Sequence, residues 1–98
     1  MCQIEEDFEV RIRAALRECH QLGYHPHDFE GMLSTASAAR VAEKLVTSGE
    51  LQVGLKRLAQ MGRLDLSVES IMLESQFKPL FNIQLRDAAR WRLDQVKS

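Results

Sequence analysis

Apolar residues recur at i, i+3 and i+4 along most of the chain, and strict alternation over five or more positions is hard to find. That is the periodicity of helices packed on one side. At about 100° per residue, Ile4, Phe8, Ile12, Ala15, Leu16, Cys19 and Leu22 form one stripe. It predicts a first helix over about Ile4 to Leu22, with Arg13 and Arg17 on the far side beside Val10 and Ala14. Gly23 is placed to stop this helix in a left-handed conformation. In the segment GYHPHDFEGML, His25 is a cap, Pro26 suits the first helical position, and Asp28 then lies in the first turn. Tyr24 and Phe29 have the spacing of a hydrophobic staple, and Phe29, Met32 and Leu33 give this short helix its inner side.

The run STAS ends that helix and supplies caps for a third, over about Ser37 to Thr47, facing inward through Ala38, Val41, Ala42 and Leu45. Gly49 ends it. A fourth helix, about Glu50 to Gln60, presents Leu51, Leu55, Leu58 and Ala59. Gly54 inside it costs about 1 kcal/mol against alanine, which points to close backbone packing there. Gly62 is the next stop, and Ser67 caps a short fifth helix over about Val68 to Ser75, with Leu66 and Ile71 as its staple. Pro79 biases Lys78 away from helical geometry, while Phe77, Leu80 and Phe81 plug one end of the core. Asn82 caps a last helix over about Ile83 to Val96, inward through Leu85, Ala88, Ala89, Leu93 and Val96. The expected fold is all-α: one compact domain, residues 1–98, of five to six short helices with longer N- and C-terminal helices.

The stretches GYHPHDFEGML, GRLDLSVESIMLES and QFKPLFNIQLRDAARWRL, in this order and spacing, resemble a small, widespread bacterial helical family marked by GYxPxxF, GRLDLSVE and LF…ARxRL. The resemblance covers roughly Leu22 to Leu93, and GRLDLSVE is its most specific part. It implies the helix boundaries and a bacterial or phage origin, and it carries no activity. This chain departs from the family pattern at His25 and His27, and at TASA, where a glycine pair is usual.

Composition narrows the function classes. Ninety-eight residues, 45% hydrophobic and 28% charged, suit a soluble globular domain, not a disordered one. A chain this short can bury a packed core but is expected to form no deep cleft between lobes. A net charge of -1 provides no global field toward nucleic acid or anionic lipid. No apolar run approaches the ~18 residues of a membrane span, and the start MCQIEEDFEV lacks the build of a secretory signal. Two cysteines, Cys2 and Cys19, are too few for a disulfide scaffold, so a reducing, cytoplasmic setting is expected.

Candidate chemistry is sparse. Cys19, His20, His25 and His27, with Cys2, make the densest metal-like set, but helix geometry sends Cys19 to the core and His20 about 100° away. They read as caps and surface histidines, and no metal or cofactor is expected. No GxSxG, HExxH, P-loop or Rossmann pattern occurs, so no catalytic residue and no enzyme are expected.

Arg92 projects into the apolar arc of the last helix, so it must snorkel out or meet a carboxylate. Arg92 or Arg63 is expected to pair with Asp65 or Glu69, fixing the GRLD loop against the C-terminal helix. Trp91 lies off the stripe beside a cationic row of Arg86, Arg90 and Lys97, the surface best suited to a protein partner. The function expected is a non-enzymatic protein–protein interaction module, an adaptor or inhibitor, with a second copy among the partners to consider. The alternative is DNA or RNA binding by a helix-turn-helix-like unit over residues 29–46, with Arg40 and Lys44 on its second helix and Arg13 and Arg17 adding phosphate contacts.

Overall fold

Local chemistry sets the helix ends in the computed structural model, which describes residues 3–47 and 53–97. Its elements are α1 (Gln3–Gln21), α2 (His27–Leu33), α3 (Ala38–Thr47), α4 (Val53–Gln60), α5 (Val68–Met72) and α6 (Ile83–Val96). Two 3-10 turns, Leu64–Leu66 and Ser75–Leu80, flank α5. The protein is all-α, with no strand among the described residues. No helix among them is long and apolar enough to cross a membrane. The roles predicted for Cys2, Gly49, Glu50 and Leu51 lie outside the described residues.

Gly23 and Gly62 both take positive φ, +86° and +71°. Each closes a Schellman motif. Tyr24 N–H reaches back to Cys19 O at 2.9 Å and Gly23 N–H to His20 O at 3.0 Å. Arg63 N–H reaches Leu58 O at 2.9 Å and Gly62 N–H Ala59 O at 3.1 Å. These bonds satisfy carbonyls that a helix end otherwise leaves open. At the opposite ends, Ser37 Oγ accepts from Arg40 N–H at 3.3 Å, Ser67 Oγ from Ser70 N–H at 3.1 Å and Asn82 Oδ1 from Leu85 N–H at 2.9 Å.

One apolar cluster draws on all these elements, and a radius of gyration of 12.4 Å is that of a packed domain of this length. Phe8 sits at its centre, meeting Phe77 and Phe81 edge-on with ring centroids 5.1 Å away in each case. Around it pack Ile12 and Ala15 of α1, Val41 and Ala42 of α3, Ile71 and Met72 of α5, and Ala89 of α6. Phe77 and Phe81 are therefore contacts of the core's own aromatic cluster.

Four expectations need correction. Leu22 is 47% exposed, not part of the buried stripe, because α1 stops at Gln21 and the turn at Gly23 swings Leu22 out of register. Pro26 is the N-cap of α2, not its first residue, and no side chain, His25 included, bonds to that end. The His25 carbonyl instead accepts from His27 N–H at 2.9 Å. On α3, Val46 is buried and Leu45 only half-buried. Finally α5 ends at Met72, and Lys78 and Pro79 lie inside a 3-10 turn. The fixed proline φ lies within the 3-10 range, so a short turn tolerates Pro79 where an α-helix would not.

Gly54 does mark a close approach. A Cβ built there would collide with the Tyr24 hydroxyl, and Tyr24 Cζ lies 3.6 Å from the same point. Gly54→Ala is expected to lose about 1 kcal/mol net, since overpacking costs about 1–3 kcal/mol and the helix-propensity gain is at most about 1. With Tyr24→Phe already in place the same change should be neutral or stabilising. Urea unfolding of the two single variants and the double variant measures the coupling; additive effects would contradict it.

Candidate functional site

The polar site best defined by the fold begins at Ser67. Its extended backbone (φ −75°, ψ 151°) and its hydroxyl cap start α5, and the same hydroxyl donates to Leu64 O at 2.7 Å. The cap sets Glu69 in the first turn of α5, pointing inward. There its Oε2 accepts from Arg92 Nε at 2.8 Å, with Arg92 1% and Glu69 3% exposed. Arg92 therefore does not snorkel. It ties α6 to α5 from within the core.

Arg63 takes a different partner set. Its Nε and Nη2 fork onto Asp65 at 3.1 and 3.2 Å, and Nη2 also reaches Glu18 Oε2 at 3.3 Å. The expected tie between the GRLD loop and the C-terminal helix thus divides in two. Arg63 fastens the loop to α1, while Glu69 alone of the two acidic candidates holds α6, because Asp65 lies on an exposed turn and Glu69 on an inner helical face. The Arg63 guanidinium holds the Asp65 carboxyl below its ordinary range, and Asp65 in turn raises Arg63. A second fork, Arg11 to Glu74 at 3.3 and 2.9 Å, fastens α1 to the residue before the second 3-10 turn.

With its inner face anchored, α6 turns outward Ile83, Asp87, Arg90, Trp91 and Asp94. Trp91 is 54% and Ile83 65% exposed. They stand about 12 Å apart along the axis and about 80° around it. Arg90 is held by Asp87 at 3.2 Å, and Arg86 is half-buried at the edge of this face. Lys97 is exposed just beyond the helix. Ile83 was legible as an apolar residue outside the inward stripe, immediately after the Asn82 cap.

Arg40 and Lys44 are exposed on α3, with Glu43 exposed between them. Arg13 and Arg17 are exposed on α1, and Arg13 is engaged by Glu9 at 2.9 Å. The other oxygen of Glu9 accepts from Ala38 N–H, the first residue of α3, at 3.0 Å. A carboxylate therefore occupies the helix end that would have to approach bases and phosphates in a helix-turn-helix. Nothing local in the sequence links Glu9 to Ala38; only the packing of α1 on α3 does.

The metal-like set separates. Cys19 is a buried, free thiol whose ionisation burial pushes up, and the Tyr24 phenol is pushed up for the same reason. His20 and His25 meet at the surface, Nδ1 to Nδ1 at 3.0 Å, and His20 Nε2 lies 2.9 Å from Glu30 Oε1 on α2. The His27 ring stacks on His25 at 6.0 Å. Among the described residues no group of three or more His, Cys, Asp or Glu is arranged to hold a metal ion.

A cavity of about 450 Å³ opens beside these histidines. It is lined mainly by apolar side chains, among them Leu16, Phe29, Met32 and Leu55. Short elements meet there around the small residues Ala15, Cys19 and Gly54, which leave the space unfilled. No family model, curated protein or solved structure matches this chain.

Proposed function

We propose that this chain is a non-enzymatic protein-interaction module that docks the outer face of α6 onto a larger partner as an adaptor or inhibitor. The observation that carries the reading is the exposure of Trp91 and Ile83 together on a helix whose other face is locked into the core. A large indole left in water is costly, and its burial at a pre-ordered surface releases that cost with little ordering penalty. Arg86 and Arg90 at the edge suit a partner with an apolar slot rimmed by carboxylates. The resemblance described above and the free Cys19 thiol support a bacterial or phage cytoplasm as the setting. The nucleic-acid reading is less well supported, because Glu9 and Glu43 place negative charge at and along the helix that would have to read bases.

The test uses a photo-crosslinking side chain at Gln95, an exposed neighbour of Trp91, to capture the partner in host cells. Affinity of the purified pair is then compared among variants. Trp91→Ala is expected to weaken binding by at least about 2 kcal/mol, roughly thirtyfold, as a hot spot does. Val10→Ser, an exposed apolar position on α1, should leave it unchanged. Trp91 is the chain's one tryptophan, so a blue shift of its emission reports its burial directly. Equal affinity of Trp91→Ala and the parent would overturn the reading. A salt-dependent DNA or RNA shift abolished by Arg40→Ala with Lys44→Ala would replace it.

A further inference from the structure

We infer that His20 and His25 form a two-imidazole binding site for a divalent first-row transition-metal ion, at the junction of α1 and α2. Three observations converge on this pair. The two Nδ1 atoms face each other at 3.0 Å, with ring centroids 4.5 Å apart and rings at 89°. Two imidazole nitrogens this close can reach one ion once the His25 ring turns, and among first-row divalent ions imidazole ligands hold copper(II) and nickel(II) firmly.

The second observation is the carboxylate behind His20. Glu30 Oε1 stands 2.9 Å from His20 Nε2. A neutral imidazole that donates from Nε2 to a carboxylate has its lone pair on Nδ1, the nitrogen turned toward His25. Metal-bound histidines are held in this way by an outer carboxylate, which fixes the tautomer and raises the basicity of the ligand nitrogen. The third is accessibility. Both rings are exposed, so His25 can turn its lone pair toward an ion on His20 without disturbing the core, while His20 keeps its contact with Glu30.

In the neutral pair His20 Nδ1 accepts and His25 Nδ1 donates. Binding moves the His25 proton to Nε2 and leaves both Nδ1 lone pairs on the ion. Water fills the other positions, since no third ligand is in place. Cys19, buried about 100° around α1 from His20, takes no part. His25 and Glu30 belong to the connection and to α2 while His20 closes α1, so the bound ion clips the start of α2 to the end of α1.

The experiment titrates the full chain with nickel(II) chloride, followed by calorimetry and by the thermal unfolding midpoint. One ion per chain is expected, with a midpoint that rises with nickel concentration because the ion binds the folded form. His20→Gln and His25→Gln should each weaken binding by at least about tenfold and abolish the midpoint shift, and Glu30→Gln should weaken it by about 10–100-fold. His27→Gln is the matched control and should bind like the parent. Copper(II) should bind more tightly than nickel(II) in the same series. Circular dichroism of each variant confirms that it folds. Parent-like nickel affinity in either His20→Gln or His25→Gln, or no saturable binding by the parent chain, would overturn the inference.

Discussion

Arg92→Ala is expected to destabilise the folded chain by about 3–5 kcal/mol, measured as a lowered midpoint in urea unfolding at neutral pH. The Arg92 guanidinium donates to Glu69 at 2.8 Å where both side chains are excluded from water. Removing it strands a carboxylate in the core, and desolvating an uncompensated charge costs more than the lost hydrogen bond. Against a total stability of about 5–15 kcal/mol for a domain, this is a large fraction. The reciprocal change Glu69→Leu should be similarly harmful. Replacing both together, Glu69→Leu with Arg92→Met, should recover most of the loss or even stabilise, since apolar substitutes for a buried pair are often neutral or better. A double variant as unstable as the single ones would contradict that account. In the fold the pair joins α6 to α5 with Trp91 and Ile83 on the outer face.

Phe8→Ala is expected to cost about 3–5 kcal/mol by the removal of a fully buried aromatic ring and the cavity it leaves. Phe8 is completely excluded from solvent and holds edge-on contacts with both Phe77 and Phe81. Those rings come from the second 3-10 turn and the residue that follows it, so the gap would open between α1 and the lead-in to α6 and could not collapse without moving both. Phe8→Leu should lose less, because it keeps much of the volume and only the ring contacts vanish. Equilibrium unfolding of both variants checks the order; an equal loss would show that ring geometry, not volume, dominates the site.

Helix ends were read from the chain with few errors because their causes are local. Gly23 and Gly62 stop helices through positive φ, and Ser37, Ser67 and Asn82 start them with side chains that reach only three residues along. The exceptions have local causes of another kind. Pro26 and Pro79 tolerate more than one placement within a turn, and periodicity does not choose between them. Leu22 failed because a stripe carries no information about where the register breaks.

Pairings across the fold behaved differently. The sequence left Arg92 either to snorkel out or to meet a carboxylate, and offered Asp65 and Glu69 as partners for Arg92 or Arg63. Choosing Glu69 over Asp65 required knowing which of them faces α6. Glu9 at the end of α3, Tyr24 over Gly54, and His20 against His25 with Glu30 behind it bring together residues from separate turns or elements. Their spacings in the chain obey no period.

The helical class, the caps and most of the inward faces follow from the order of residues alone, because backbone preference and the 3.6-residue repeat act over a few neighbours. Which charges meet and where a cavity stays open were settled by the packing of the helices. Those outcomes depend on how rigid helices rotate and settle against one another, and packing free energy summed over the whole core sets that rotation.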